Sequence, residues 1–311
     1  SCPTRSPART RRSSKNCLSA NQKPARTREG EAVQTIGNEL TRSPIEETLA
    51  RAPATVPYFS ASFGEPSDGM VRASDVINDS AMVTQYLDYV ESAYKMGDGY
   101  RQIAASFLVL GYFWPPMLGA AACMLLERRV PDLSTSNVWL NINGYGVRFS
   151  SPRFYALPDD PDAAHPDATV VPDIGALRDY IAATFTDDHA EPLFATLRSV
   201  APYGLNGMRA NYVDRMVSAL IWMSDVIGDP AVAETEVPAF VSRMTDKRRA
   251  GVIQVEHRAK PRMLQIRSGC CLNYRLPGRE KCETCSLLSM DERIARFCAS
   301  LDQQEAASVA D

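Results

Sequence analysis

Apolar residues recur at helical spacing through Val76, Ile77, Met82, Val83, Tyr86, Leu87 and Val90. Ser74 or Asp75 stands ready to cap that helix, and Gly97-Asp98-Gly99 to end it. The next stretch, Ile103 to Leu126, has no charged side chain and is long enough to cross a bilayer. Pro115-Pro116 sits in its middle, and Ser106, Tyr112 and Trp114 dilute it. Two buried helices joined at Trp114-Pro115 are therefore expected, rather than a membrane span. The pattern then changes period. Val138, Leu140 and Ile142 alternate with Trp139 and Asn141, and Asn143-Gly144 supplies a tight turn into residues 145–149, which predicts a hairpin. A Pro/Asp-rich loop over 158–172 is the expected internal boundary. Helical spacing returns over about 174–186, 190–200 and 206–227, where Gly228-Asp229-Pro230 stops it, and again near Pro238–Met244. A last amphipathic helix opens at Ser289, with Ile294, Phe297, Cys298 and Leu301 on its apolar face. No internal repeat is visible. The chain reads as α+β, mostly α-helical with a small antiparallel sheet.

Before residue 73 the sequence is turn-rich, and Pro53, Pro57 and Pro66 interrupt any periodicity. Residues 1–55 are expected to be a disordered tail, 56–259 a mostly helical domain, and 260–311 a C-terminal metal-binding segment with its terminal helix. Charge supports setting the tail apart. Residues 1–28 carry eight Arg or Lys and no acid, so residues 29–311 hold a net charge of −11 within a whole-chain value of −3. An acidic remainder excludes a generally basic, nucleic-acid-binding surface. The basic start has no apolar core of a secretory signal; its Arg/Ser-rich, acid-poor composition also suits a transit peptide, and a truncated or miscalled start is a further alternative.

Four of the eight cysteines fall within sixteen residues as Cys270-Cys271-x10-Cys282-x2-Cys285. A chain of 311 residues with 45% hydrophobic residues builds a core without staples, so a disulfide framework is the weakest explanation. A metal site is favoured, because Cys282 and Cys285 converge from one turn while the vicinal pair closes the other side. Adjacent side chains diverge, which suits a tetrahedral zinc poorly and the wider [2Fe–2S] cluster better. Spacing alone leaves iron–sulfur, zinc and thiol chemistry all open. Cys2, Cys17, Cys123 and Cys298 are scattered and form no second framework; reduced thiols in a cytosolic setting fit them best.

The run Arg267-Ser-Gly-Cys270-Cys271-Leu272-Asn-Tyr274-Arg275, followed by Cys282-Glu-Thr-Cys285, resembles the signature of the FhuF-type ferric siderophore reductases. Residues 104–112, a Trp-Pro-Pro turn and Val130-Pro-Asp-Leu133 are similar to the upstream half of that family, so the resemblance covers roughly 75–290. It implies one [2Fe–2S] cluster per chain on Cys270, Cys271, Cys282 and Cys285. It implies one-electron reduction of a ferric siderophore, of the hydroxamate class, in the cytoplasm, near the inner face of the membrane. Arg267 and Arg275, inside the signature, are the expected outer-shell partners of the cluster. A non-catalytic zinc or iron–sulfur module with a structural or sensing role is the alternative, and a siderophore-binding or assembly domain without redox activity a third.

Residues 258–281 hold Arg258, Lys260, Arg262, Arg267, Arg275, Arg279 and Lys281 against the single acid Glu280. Such a field would steer an acidic ferredoxin or an anionic chelate, or simply form a solvated face. Gly97-x-Gly99 and Gly144-x-Gly146 lack the third glycine of a dinucleotide site, so electrons are expected from an external ferredoxin or reductase. His165, His189 and His257 are isolated in sequence and read as surface or loop residues. Tyr112, Trp114, Trp139 and Trp222 read first as core, with a substrate surface as their other use.

Overall fold

The computed structural model describes residues 42–56, 59–97, 99–141, 146–246 and 249–310. Helix α1 (Pro44–Arg51) precedes β1 (Ser60–Phe63), β2 (Met70–Arg72), α2 (Ala73–Asn78), α3 (Ser80–Ala93) and the long α4 (Arg101–Glu127). Five short strands and turns follow as β3 (Arg129–Pro131), β4 (Val138–Asn141), β5 (Gly146–Phe149), β6 (Phe154–Ala156) and β7 (Ala168–Val170). The second half holds α5 (Ile174–Ala183), α6 (Glu191–Val200), α7 (Leu205–Ile227), α8 (Pro230–Met244), the hairpin β8 (Gly251–His257) and β9 (Lys260–Ile266), and α9 (Met290–Ala310). The fold is mostly helical, as its apolar spacing predicts.

The core is organised on α4 and α7, which lie against each other, with α8 on α7 and α3 on α4. Contrary to expectation, α4 runs unbroken through Pro115 and Pro116. The two prolines remove two backbone donors, but Phe113, Met117 and Leu118 are fully buried around them, and that burial keeps the helix continuous through the defect. Among the described residues α4 is the one helix long and apolar enough to cross a membrane, and 78% of its apolar window is buried inside the protein.

Several boundaries differ from the sequence reading. The helix expected from residue 74 is split at Asp79, whose carboxylate accepts from the N–H groups of Ala81 and Met82 and starts α3 afresh. Residues 44–55, assigned to the tail, belong to the fold: Ile45 and Leu49 of α1 are buried, and buried Arg129 donates to the Pro44 carbonyl and to Thr48 Oγ1. The same guanidinium pairs with Asp160 and Asp162, so the Pro/Asp-rich loop is tied down rather than forming a boundary. The boundary at 259/260 would cut the β8–β9 hairpin at its turn, where Arg258 and Ala259 both have positive φ (49° and 59°). Residues 42–311 form one unit. Helix α8 begins at Pro230, not near Pro238.

Among the described residues there are three small sheets, two of them mixed, where one small antiparallel sheet was expected. β4 and β5 pair antiparallel as expected of the hairpin, β2 extends that sheet beside β4, and β1 adds parallel to β5. The Asn143-Gly144 turn lies outside the described residues. β3, β6 and β7 form the second sheet and β8–β9 the third.

His189 is fully buried, not on the surface, in a π-helical segment (Thr184–Ala190) between α5 and α6. Its Nε2–H donates to the Leu133 carbonyl at 2.7 Å, and its Nδ1 accepts from the Tyr112 hydroxyl at 2.8 Å, which fixes a neutral ring. Burial pushes its pKa down to about 4, against about 6.5 for an exposed imidazole. The unfolded chain therefore takes the proton first, and stability falls as pH drops from 6.5 towards 4. Going from pH 7 to near pH 4.5 costs about 2–3 kcal/mol through this group alone. Urea unfolding of the wild type and of His189→Gln at both pH values is expected to show that difference in the wild type only; equal losses would refute it.

Candidate metal centre

β9 delivers the chain at Arg267 onto the flank of α7, and the cysteine loop is built against that helix. Asp214 of α7 is 1% exposed and accepts the Ser268 and Gly269 N–H groups, each at 2.8 Å, and the Ser268 hydroxyl at 3.0 Å. Its Oδ2 lies 3.4 Å from Arg267 Nε. Burial pushes the Asp214 carboxyl up, and Arg267 with the two backbone donors pulls it back down. Arg267, itself mostly buried, donates through Nη2 to Asn211 Oδ1 at 3.2 Å and places Nη1 4.0 Å from Cys282 Sγ. The expected partner role of Arg267 thus has a geometry.

Gly269 is required by close approach. A Cβ there would fall 2.5 Å from Asn211 Oδ1 and 2.9 Å from the Asn211 backbone nitrogen. With the loop pressed this close, Asn211 Nδ2 reaches the Cys270 carbonyl at 3.3 Å and Ser106 Oγ donates to the Cys271 carbonyl at 3.1 Å. Asn211 Nδ2 also lies 3.0 Å from Ser106 Oγ and 2.6 Å from the Tyr203 hydroxyl oxygen, which joins α4, α7 and the loop in one polar knot. Neither Asn211 nor Asp214 was foreseen; the signal was two polar residues, three apart, among the buried positions of α7.

Beyond the vicinal pair, Leu272 turns the chain with φ 62°, and its N–H points at Cys270 Sγ at 3.4 Å. The second pair sits on a tight turn closed by Cys285 N–H to the Cys282 carbonyl (3.1 Å). Ser289 then caps α9 reciprocally with Glu292. Cys285 is buried, whereas Cys270, Cys271 and Cys282 are half-buried. The Cys271 thiol is pulled down to about 5, first by its hydrogen bond with Cys282 and further by Arg267, and Cys282 is pushed up as the partner that keeps the proton.

Six cysteines are free among the described residues. Cys123 is buried in α4, where burial pushes it to about 12, and Cys298 is half-buried on α9. Cys298→Ser is accordingly expected to keep full iron content and visible absorption; bleaching of that variant would show that the thiols are wrongly chosen.

The donor set fits a [2Fe–2S] cluster: three half-buried thiols and one buried, two of the four on one tight turn, with an N–H donor and a guanidinium beside the sulfurs. Among the described residues, the only three metal-ligating groups within 4.8 Å of one another are His257, Asp302 and Glu305. There Arg258 already pairs with both carboxylates, and His257 is nearly buried rather than on the surface.

Other expected positions fall differently. Arg275 is exposed and donates to Gln102 Oε1 (3.0 Å), so it ties the loop to the start of α4. Arg258 and Arg262 are paired with α9 carboxylates, and part of the basic stretch is thereby internal to the fold. Tyr112 is core; Trp139 lies under the Arg72 guanidinium; Trp114 meets Trp222 edge-on.

The loop carrying the four cysteines is fastened to the helical core by a buried ion pair. Residues 267–287 match the family model described as the FhuF 2Fe-2S C-terminal domain, and the cofactor is a [2Fe–2S] cluster. The cysteine segment is thus similar to the iron–sulfur domain of FhuF-type proteins. None of the curated proteins matches it.

Proposed function

We propose that Cys270, Cys271, Cys282 and Cys285 hold the cluster and that the protein is a ferric siderophore reductase of the cytoplasm. The observation that carries this reading is the half-buried thiol loop held at the surface by Asp214 and Arg267. When bound, the cluster supplies a one-electron couple at low potential. One electron is enough for release, because hard oxygen donors that grip Fe(III) hold Fe(II) far less tightly.

The residues of the chain set the conditions for that transfer. Arg267 keeps a positive charge near Cys282, which favours the more negative, reduced form and raises the potential. The knot of Asp214, Asn211, Ser106 and Tyr203 fixes the backbone carrying the vicinal pair, so little reorganises when charge changes. Exposed Arg279 and half-buried Lys281, between the two cysteine pairs, suit an acidic external donor such as a ferredoxin.

Potentiometric EPR on anaerobically purified protein tests the reading. A reversible one-electron signal that appears on reduction supports it. A protein with zinc, or with no reversible couple, would instead be a structural or sensing module.

A further inference from the structure

We propose that the cleft between α7, β9 and α9 is the seat of the ferric chelate, and that it takes neutral or cationic chelates in preference to anionic ones. This rests on the reductase reading above. The cleft has a volume of about 540 Å³, within the roughly 300–1,000 Å³ of small-molecule sites.

Its position is the first argument. Glu283 and Thr284, the two residues between Cys282 and Cys285, form part of its wall. A molecule in the cleft is then separated from two of the thiols by a single turn of chain, and electron transfer weakens steeply with distance. The larger cleft of about 740 Å³, on the α8 side of α7, meets the cysteine segment through Ser268, whose hydroxyl already serves Asp214. A third cavity, of about 30 Å³ beside α4, is too small.

The lining is the second argument. Ile221 and Trp222 of α7 face Phe297 and Leu301 of α9 across the cleft and supply apolar surface for the organic shell of a chelate. Trp222 is 39% exposed, unusual for so large an apolar ring. Gln265 and Ser218, hydrogen-bonded to each other at 2.9 Å, add polar groups to the wall. The charges decide the class of ligand. Arg262 is the one cation of the lining, against the carboxylates Asp225, Glu283 and Glu305. Arg262 lies against Glu305, which Arg258 also binds, and its charge also acts on Asp225; one lining cation against three carboxylates still leaves the wall negative. A trianionic chelate would meet repulsion there; a neutral or cationic one would not.

The test uses the cluster-loaded protein and gallium(III) complexes, which copy the ferric ones and cannot be reduced. Anaerobic calorimetry with the cationic gallium complex of desferrioxamine B is expected to show binding, and Trp222→Ala to weaken it at least tenfold. Ser300→Trp, which fills the cleft from a partly exposed position on α9, is expected to do the same and guards against a folding artefact at Trp222. Both variants are expected to keep the iron content, the midpoint potential and the rate of reoxidation by ferricyanide. A trianionic gallium tris-catecholate is expected to bind at least tenfold more weakly than the cationic complex. Wild-type binding of the cationic complex with unchanged affinity in both variants would overturn the cleft and leave the reductase reading standing, as would equal affinity for the anionic complex overturn the charge preference. No binding of either complex, with a reduced protein that ferric complexes do not reoxidise, would overturn both readings.

Discussion

Serine in place of Cys271 or Cys282 is expected to strip the protein of its cluster. These two thiols belong to different pairs and yet share a hydrogen bond, so together they close the ring of four donors. A serine hydroxyl keeps its proton at neutral pH and offers a hard oxygen where the cluster takes soft thiolate sulfur. Iron should fall from about two per chain to nearly none, and the visible absorption and the EPR signal of the reduced form should go with it. The helical core is built without these side chains, so far-UV circular dichroism should stay close to that of the wild type. Full iron loading in either variant would mean that other groups hold the metal.

Asp214→Ala should be the most damaging change outside the cysteines. It leaves the nearly buried Arg267 without its carboxylate and the Ser268 and Gly269 N–H groups without an acceptor. Breaking a buried ion pair from one side costs about 3–5 kcal/mol, and a cavity barred to a Cβ at Gly269 gives the loop no second seat on α7. For a fold of this size that lowers Tm by roughly 6–15 °C. Loss of cluster to a chelator should quicken together with the fall in Tm. Asp214→Asn keeps an acceptor but loses the charge, so it should lie between the two. A variant that holds both its Tm and its cluster would remove the ion pair from any role at the site.

The thiols were legible because their chemistry is written in sixteen consecutive residues, and Arg267 because it stands beside them. Asp214, Asn211 and Ser106 were not, since each reaches the loop from more than fifty residues away and a polar residue in a helix reads first as solvated. Their burial is a tertiary fact. The β8–β9 hairpin was hidden for a local reason: its turn residues are Arg258 and Ala259, without the Gly or Asn that positive φ usually recruits. Pro115-Pro116 misled in the opposite sense, because propensity favours a break and packing around α4 overrides it. α1 was lost among prolines, although Ile45 and Leu49 are spaced for one helical face.

Electron delivery to a ferric chelate is tested most directly in a single turnover. The protein is reduced anaerobically, freed of reductant, and mixed with a ferric trihydroxamate in the presence of an Fe(II) trap. The expected result is reoxidation of the cluster with one trapped Fe(II) for each electron lost. A reduced cluster that persists unchanged beside the ferric complex, with no Fe(II) trapped, would contradict the reductase assignment.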